Sequence, residues 1–167
     1  MELWDIYDAC FQKTGKLHER GKQLKEGEYH LVVHIFPINQ QKQILVQKRS
    51  DTVEWFPGCW AVTGGSALNG EDAWQACQRE LKEELGIQIQ KEDAQLFAIL
   101  KRHDSFNAVW VIRSEVSEKD LKLQKEEVAQ AKWIEMDNIK KMMTQGSFHK
   151  YQYFDWLMDY IGGITWK

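Results

Sequence analysis

Three glutamates crowd one short stretch of this 167-residue chain, Arg79-Glu80-Leu81-Lys82-Glu83-Glu84, and they constrain its structure more than any other feature. On an α-helix, positions i, i+3 and i+4 share one face, so Glu80, Glu83 and Glu84 would point into an arc of about 100°. Three like charges repel one another there unless a positive charge faces them. A divalent cation that prefers oxygen ligands, Mg²⁺ or Mn²⁺, meets that need. The spacing therefore predicts a helix with one metal-binding face.

A solvated helix face is the commoner explanation of a glutamate-rich helix. The flanking residues argue against it here. Gly65, Glu71, the Arg79–Glu84 block, Gly86 and Ile87 stand at the intervals of the Nudix box without a mismatch. With ordinary residue usage, a chance match at all of these positions is rarer than about 1 in 10⁵. The metal-binding interpretation is therefore favoured.

On these residues the chain resembles the Nudix hydrolase superfamily, chiefly over residues 65–87 and more loosely over residues 29–133. The resemblance implies an α+β fold, an α/β/α sandwich in which a mixed β-sheet lies between helices. It also implies an active site on the box helix that depends on Mg²⁺ or Mn²⁺. The reaction it implies is the attack of water on phosphorus, which cleaves a diphosphate linkage to a nucleoside or another group.

The resemblance further assigns roles to single residues. The carboxylates of Glu80, Glu83 and Glu84 would hold one or more metal ions, and the carbonyl of Gly65 would add a ligand. A metal ion held there would bridge the diphosphate and acidify a bound water. Glu83 and Glu84 are thus both metal ligands and catalytic residues in this hypothesis, and Glu80 is a metal ligand.

Arg79 and Glu71 would act on the metal ligands indirectly. A planar guanidinium beside Glu80 can hold a carboxylate through two hydrogen bonds, so Arg79 is expected to orient the site and not to bind metal. The resemblance gives Glu71 a similar orienting role through a salt bridge or hydrogen bonds. Helical spacing would place Glu71 on the far side from Glu80, which argues against Glu71 as a direct ligand.

A general base outside the box is expected, because several family members use a glutamate from a loop before a late strand. Glu126 and Glu127 lie six or seven residues before Trp133 and match that place. Glutamates in such loops are commonly just solvated. Glu127 is the first candidate for the base and Glu126 the second.

Signals for the rest of the substrate are weaker. Phe106, Trp110 and Phe148 could stack on a base, but an aromatic residue on a strand or helix usually belongs to the core. Arg49 and Lys48 could reach phosphates, although an exposed charge at a strand end is the more ordinary interpretation.

A single domain over residues 1–167 is predicted, with an appended N-terminal element over residues 1–28. A helix should end at Gly86, which suits a left-handed cap. The periodicity predicts strands over His30–Phe36, Gln43–Gln47, Cys59–Thr63, Leu96–Lys101, Ala108–Arg113 and Ala131–Ile134, with later helices over Met136–Gln145 and Phe148–Ile161. The first two strands would form a hairpin.

Composition and charge restrict the kinds of partner that the chain is expected to bind. A net charge of −3 and a pI near 6.0 argue against nucleic-acid polymers. The N-terminus lacks a secretory signal and no apolar stretch is long enough to span a bilayer, so a cytoplasmic protein without a membrane partner is expected. Cys10, Cys59 and Cys77 are odd in number and widely spaced, which predicts reduced thiols buried as small hydrophobic residues. The expected partner is a small-molecule diphosphate, and a homodimer is compatible with the sequence.

Two other functions stay open. The stretch from His30 to Trp60 resembles isopentenyl-diphosphate isomerase, but isomerases of that kind place a catalytic cysteine directly before the box glycine, where this chain has Gly64. They also do not keep the full glutamate cluster. A non-catalytic Nudix binding domain would have lost glutamates, and here none is lost. Hydrolysis is therefore favoured, with the diphosphate substrate left open.

Overall fold

A mixed sheet of seven strands forms the centre of the computed structural model, which describes residues 2–164, and a separate two-stranded sheet lies at the N-terminus. Two short 3-10 turns cover Lys91–Asp93 and Glu118–Asp120. The main elements in chain order are β1 (Leu3–Tyr7), β2 (Lys13–Glu19), β3 (His30–Ile38), β4 (Gln43–Arg49), β5 (Trp60–Ala61), β6 (Thr63–Ser66), α1 (Ala73–Leu85), β7 (Ala94–Lys101), β8 (Ser105–Arg113), β9 (Val128–Glu135), α2 (Met136–Gln145) and α3 (Phe154–Gly163).

Helices cover both faces of the central sheet. Alternate residues of β3 point to opposite faces, as the period of a strand requires. Val33 and Ile35 join a buried cluster with Leu81 and Leu85 of α1, whereas Phe36 and Ile38 join a second cluster with residues of α2 and α3. The predicted α+β fold, with a mixed sheet between helices, is confirmed.

Strand β3 organises the sheet. It pairs in parallel with β8 along its whole length, and antiparallel with β6 from Val32 to Ile35. Its pairing with β4 is limited to Ile38 and Ile44. The predicted hairpin of β3 and β4 therefore opens at once, because β6 takes the place beside β3 while β4 pairs with β5 and β9.

Several predicted boundaries were wrong, among them those of β5, β6, β8 and α3. The single strand expected over Cys59–Thr63 is divided into β5 and β6, which pair with different neighbours. Strand β8 starts at Ser105, inside the expected connection. Helix α3 starts at Phe154 and not at Phe148, since Phe148 forms a bridge with Trp60 of β5 and the His149 amide donates to the Trp60 carbonyl at 2.8 Å. In each case strand pairing outweighed the local pattern.

The N-terminal residues form an antiparallel hairpin of β1 and β2 that docks onto the central domain. Tyr7 bridges to Tyr29, and the ring of Trp4 stacks on His30 at 4.2 Å between centroids. The amide of Gly70 also donates to the Asp5 carboxylate at 2.8 Å. The hairpin therefore touches both β3 and the loop that precedes α1.

We expect acid to weaken this docking through His30. Burial lowers the pKa of His30 from 6.5 to about 4 in the folded state. Between these pH values the unfolded chain binds the proton more readily, so stability is complete above pH 6.5 and is lost as the pH falls toward 4. His30 should account for about 1 kcal/mol of that loss.

Urea unfolding of the wild type and His30→Phe, at several pH values between about 7.5 and 5, measures this contribution. The variant should show a shallower pH dependence, with a remainder from His34, whose pKa burial also lowers to about 4. If the free energy of unfolding depended on pH in the same way in both proteins, the contribution assigned to His30 would be contradicted.

The expectation that all three cysteines are buried was wrong. Cys77 is buried, and burial raises the pKa of its thiol to about 12. Cys59 is partly buried, and Cys10 is exposed because it lies in the turn between β1 and β2. No helix among residues 2–164 has the length and apolar content needed to cross a membrane.

Candidate active site

Helix α1 carries the glutamates and begins and ends with strong local signals. Asp72 caps its N-terminus by accepting from the Gln75 amide, and the Gln75 side chain accepts from the Asp72 amide in return. Gly86 ends the helix with φ of 72°, and its N–H is directed to carbonyls of the last turn, Leu81 and Lys82. The predicted end at Gly86 is confirmed, so the three glutamates occupy the last two turns.

The three glutamates differ in burial. Glu80 and Glu84 are buried, at 8% and 6% exposure, because they face the sheet, whereas the Glu83 side chain is about half exposed, at 52%. Gln47 of β4 donates to the Glu84 carboxylate at 2.6 Å. Thr63 in turn donates to the Gln47 carbonyl at 2.9 Å, which fixes the orientation of that amide.

Burial makes these carboxylates hard to ionise. Desolvation raises the pKa of Glu84 to about 8, with repulsion from Glu80 as the second cause and the Gln47 hydrogen bond acting against both. The pKa of Glu80 is also raised, mainly by burial, although Arg79 opposes the shift. Two neighbouring buried carboxylates can both be charged at neutral pH only if further positive charge is supplied.

The Arg79 side chain links the other residues of the site through hydrogen bonds. Its guanidinium donates to Glu71 at 2.8 Å, to Glu80 at 2.8 Å and to Glu83 at 3.1 Å. A further bond, of 3.0 Å, reaches the Ser66 carbonyl at the end of β6. Burial alone would lower the pKa of Arg79, but the carboxylates outweigh it and raise the pKa. One side chain thus joins the helix, the strand and the loop before the helix.

The position of Glu71 corrects the helical argument made for it. Glu71 precedes the N-cap Asp72, so helical spacing does not apply to it. Its carboxylate folds back to accept from Arg79 and from the Leu68 amide at 2.8 Å. Burial works to raise the pKa of Glu71, but these hydrogen bonds outweigh it and lower the pKa. Glu71 and Glu80 therefore share one guanidinium.

Two glycines let β6 run tightly beside its neighbours. A Cβ at Gly64 would lie 2.5 Å from the Val33 carbonyl, and a Cβ at Gly65 would overlap the Glu80 carboxylate. At Gly64 the obstacle is backbone and cannot yield, whereas at Gly65 the Glu80 carboxylate would have to move away. Gly65 therefore brings its own backbone directly against a buried carboxylate.

Gly65→Ala should displace Glu80 from this contact. We expect the free energy of unfolding to fall by about 2 kcal/mol, because a methyl group is forced into filled space. Urea denaturation measures this change. Gly162→Ala is the matched control, since nothing lies within 4 Å of a Cβ there, and it should leave stability unchanged or slightly raised. Equal stability of the two variants would contradict the close contact.

The donor set suits a hard divalent cation. Glu80, Glu83, Glu84 and the Gly65 backbone offer only oxygen ligands, which Mg²⁺ and Mn²⁺ prefer. Within residues 2–164 no three acidic, histidine or cysteine side chains converge into a formed metal site. Arg79 forms ion pairs with Glu80 at 2.8 Å and with Glu83 at 3.1 Å. Burial raises the pKa of Glu80 and of Glu84, and an added positive charge would favour their ionised forms. The residues therefore fit such an ion.

The glutamates line a cleft of about 350 Å³. Glu127, from the turn before β9, lines the same cleft, and its carbonyl accepts from the Ser50 amide at 2.8 Å. Glu126 is not among the cleft residues, and its carbonyl accepts from Thr52 at 3.2 Å. Of the two base candidates, the fold brings only Glu127 to the cleft.

The aromatic residues considered for substrate stacking belong to the core. Phe106, Trp110 and Phe148 are 5%, 7% and 2% exposed, and none lines the cleft. The rings that do line it were not predicted from the sequence, because they lie on β3 and on connecting segments. They are His34, Trp55, Phe56, His149 and Tyr151.

His34 forms a hydrogen bond with a buried tyrosine. Its Nδ1 lies 2.6 Å from the Tyr153 hydroxyl. Burial raises the pKa of Tyr153, so the hydroxyl stays protonated. Burial also lowers the pKa of His34 to about 4, so the imidazole is neutral near pH 7.

Two arginines also reach the cleft. Arg49 was expected to be an edge charge, but it lines the cleft and donates through Nε to the Trp55 carbonyl at 2.7 Å. Arg20 comes from the N-terminal hairpin and forms an ion pair with Glu2 at 2.7 Å. Lys48 is absent from the lining. The hairpin therefore contributes to the candidate site and not only to packing.

Comparison with known proteins decides the family. The model of the NUDIX domain matches residues 28–157. A Nudix hydrolase of Listeria monocytogenes is 38% identical over 166 residues, covering 99% of this chain and 98% of that protein. The chain belongs to the Nudix hydrolase family. The hydrolytic assignment at the level of the family, made from the box, is thereby supported.

Two further proteins resemble this Nudix protein less closely in sequence. The crystal structure of a Deinococcus radiodurans protein superposes with a TM-score of 0.79 at 21% identity, covering 95% of this chain and 98% of that one. An isopentenyl-diphosphate Delta-isomerase of Halorhodospira halophila is 32% identical over 88 residues, which is 52% of this chain and 50% of that protein. The first likeness confirms the fold, and the second extends over only half of each chain.

Proposed function

We propose that this Nudix protein is a Mg²⁺- or Mn²⁺-dependent pyrophosphohydrolase. It would cleave the diphosphate linkage of a small molecule, a nucleoside diphosphate joined to another group or a similar compound. The observation that carries the proposal is the pair of buried carboxylates, Glu80 and Glu84, in a cleft that also contains Glu83 and Glu127. A buried acidic pair needs a cation, and a diphosphate needs the same cation to approach it.

Glu80, Glu83, Glu84 and the Gly65 carbonyl would hold the divalent ion. When bound, such an ion neutralises charge on the diphosphate oxygens and lowers the pKa of a bound water. The protein's own part is to position the groups. Gln47 holds the Glu84 carboxylate at 2.6 Å, and Arg79 holds Glu80 at 2.8 Å.

Glu127 is proposed to accept the proton of the attacking water. It reaches the cleft from the turn before β9, whereas the box glutamates reach it from α1. A carboxylate that is not bound to metal can act as a base near neutral pH when it is positioned beside the nucleophile. Glu127 therefore supplies a function that the box itself does not contain.

Glu127→Gln should lower kcat by about 100-fold, the usual contribution of one general base. Steady-state kinetics with Mg²⁺ measure the effect. Glu126→Gln is the matched control, because it is the adjacent residue and lies outside the cleft, and its kcat should stay within about two-fold of the wild type. Equal effects of the two substitutions would indicate that Glu127 is a solvated loop residue and not the general base.

An isomerase function is less well supported. Cys59 is not among the cleft residues, and its sulfur lies 3.5 Å from the Trp60 carbonyl and 3.6 Å from the Ser147 carbonyl. Burial raises the pKa of its thiol, which disfavours the reactive thiolate. Gly64 occupies the place where the isomerases carry their catalytic cysteine. No cysteine thiol therefore lies among the cleft residues.

The full-length protein should be assayed with Mg²⁺ or Mn²⁺ against nucleoside diphosphates, nucleotide sugars, dinucleoside polyphosphates and isopentenyl diphosphate. Release of phosphate or of a nucleoside monophosphate from any of them supports the proposal. No turnover of any compound would indicate a non-catalytic Nudix binding domain. Conversion of isopentenyl diphosphate without phosphate release would indicate an isomerase. A cytoplasmic location and a homodimer stay predictions from the sequence.

A further inference from the structure

Strand β7 lies at one open end of the central sheet. The strands follow the order β5, β4, β3, β8 and β7, and among residues 2–164 no strand pairs with the outer side of β7. All eight residues of β7 keep part of their surface exposed, whereas seven of the nine residues of β8 are buried. At the opposite end of the sheet the chain covers itself, since Trp60 of β5 bridges to Phe148. An open edge of this kind pairs readily with another strand.

A bulge gathers apolar side chains on one face of β7. In a regular strand Leu96 and Ile99 would point to opposite faces. The register against β8 shifts after Leu96, so that Leu96 pairs with Trp110 and Ile99 pairs with Ala108. Trp110 and Ala108 both join the buried cluster on the side of α1, so Leu96 and Ile99 share that face. They are 41% and 40% exposed.

The other face of the same edge is aromatic. Phe97, at the bulge, packs on the side of α3, where its ring lies 4.6 Å from that of Trp156 and 4.9 Å from that of Tyr160. Trp156 is 55% exposed. Among residues 2–164 seven large apolar side chains are exposed, and three of them, Leu96, Ile99 and Trp156, lie along this edge. Apolar groups collected in one place are typical of an interaction surface.

Charges of opposite sign stand at the two ends of β7. Asp93 precedes the strand and Lys101 ends it, and each lies four residues from Phe97. Glu92 and Arg102 extend this pattern by one residue on each side. None of the seven residues between Asp93 and Lys101 is charged or a proline, although those residues commonly protect an edge strand from association. The strand is therefore symmetric in position and opposite in charge about Phe97.

We propose that β7 is the dimerisation edge of this Nudix protein, where it pairs antiparallel with β7 of a second copy of the chain. A twofold axis at Phe97 places Lys101 of each copy opposite Asp93 of the other. Arg102 and Glu92 face each other in the same way. Parallel pairing in the same alignment would set like charges side by side. A second copy supplies both the apolar face and the complementary charges, so the surface fits the chain itself.

The charged side chains are held in place before association. Asp93 forms an ion pair with Arg113 at 3.1 Å, and Lys101 donates to the Ala9 carbonyl at 3.4 Å. Both groups stay partly exposed, so each can add a contact across the twofold axis. Side chains that are already ordered lose less entropy on binding. No residue of β7 lines the cleft, so this edge is separate from the candidate active site.

Sedimentation velocity of the full chain, between about 1 and 300 µM, tests the inference. An interface built on one strand is small and is expected to be weak, so the mean mass should rise from 19.7 kDa toward twice that value over this range. Leu96→Lys should weaken the dimer by about 10-fold or more, because it lies one residue from the axis and symmetry brings two added charges together. Leu17→Lys is the matched control, since Leu17 is a leucine of similar exposure, 50%, on the N-terminal hairpin. It should dimerise like the wild type.

A charge reversal tests the antiparallel alignment. Lys101→Glu should weaken the dimer by about 10-fold, because it sets like charges together at both ends of the symmetric interface. Adding Asp93→Lys to it should restore the wild-type affinity to within about two-fold. A wild type that stays monomeric at every concentration would overturn the inference. So would a dimer that is unaffected by Leu96→Lys, or a double variant as weak as Lys101→Glu alone. Sedimentation needs no turnover, so failure of the hydrolase proposal would leave this result unchanged.

Discussion

Glu84→Gln should lower kcat by about 10³-fold while the fold is retained, because the substitution removes one charge from the proposed metal site and no core packing. Glu84 is the most deeply buried of the three box glutamates, and its hydrogen bond from Gln47 can be kept by the glutamine carbonyl. The substitution should therefore change the charge of the site and not its shape, and the loss of kcat should come from the charge. Steady-state kinetics with saturating Mg²⁺ measure it.

Thermal unfolding provides a second, independent measurement on Glu84→Gln. In EDTA the variant should melt at or above the wild-type temperature, because a buried carboxylate next to Glu80 costs free energy when nothing positive neutralises it. Mg²⁺ should raise the Tm of the wild type and have little effect on the variant, since only the wild type keeps the full ligand set. Glu26→Gln, in an exposed N-terminal segment, is the control and should behave as the wild type. A fully active Glu84→Gln would refute the proposed ligand.

Arg79→Ala is expected to reduce both activity and stability. The wild-type guanidinium joins Glu71, Glu80, Glu83 and the Ser66 carbonyl. Its loss removes the ion pair of the buried Glu80 carboxylate and leaves Glu71 with only the Leu68 amide. We expect kcat/KM to fall by about 100-fold and the free energy of unfolding by about 2 kcal/mol. Kinetics and urea denaturation of the same preparations measure the two losses.

Arg79→Lys distinguishes charge from geometry. Lysine keeps the positive charge but lacks the planar fork, so it should recover part of the stability and little of the activity. Arg102→Ala, which removes an exposed arginine bonded to Gln152 at 2.8 Å, should change neither property. Full activity in Arg79→Lys would show that Arg79 supplies only charge and does not orient Glu80.

The parts of the site that the sequence predicted well are those governed by neighbours along one helix. The intervals of Glu80, Glu83 and Glu84 need only the helical repeat to be placed on one face. Gly86 is similar, because a left-handed cap is a local preference of glycine. The metal-binding hypothesis for the box can therefore be inferred from about twenty residues of sequence.

The same local reasoning failed where the chain folds back on itself. Glu71 was placed by helical spacing although it lies before the helix, and it shares the Arg79 guanidinium with Glu80. The contact of Gln47 with Glu84 spans 37 positions of sequence, so no periodicity indicates it. The aromatic pattern after Phe148 predicts a helix, but a local pattern carries no information on the bridge between Phe148 and Trp60 of β5.

By itself the sequence determined the family, the box helix and the acidic face that the proposed metal ion requires, because these depend on spacings within a few helical turns. Only the tertiary structure decided that Glu127 and not Glu126 reaches the cleft, and that Arg20, Trp55 and Phe56 stand at it. The reason is physical: burial, desolvation and ring contacts arise between segments far apart in the chain, and they exist only once β3, β6 and α1 are packed together.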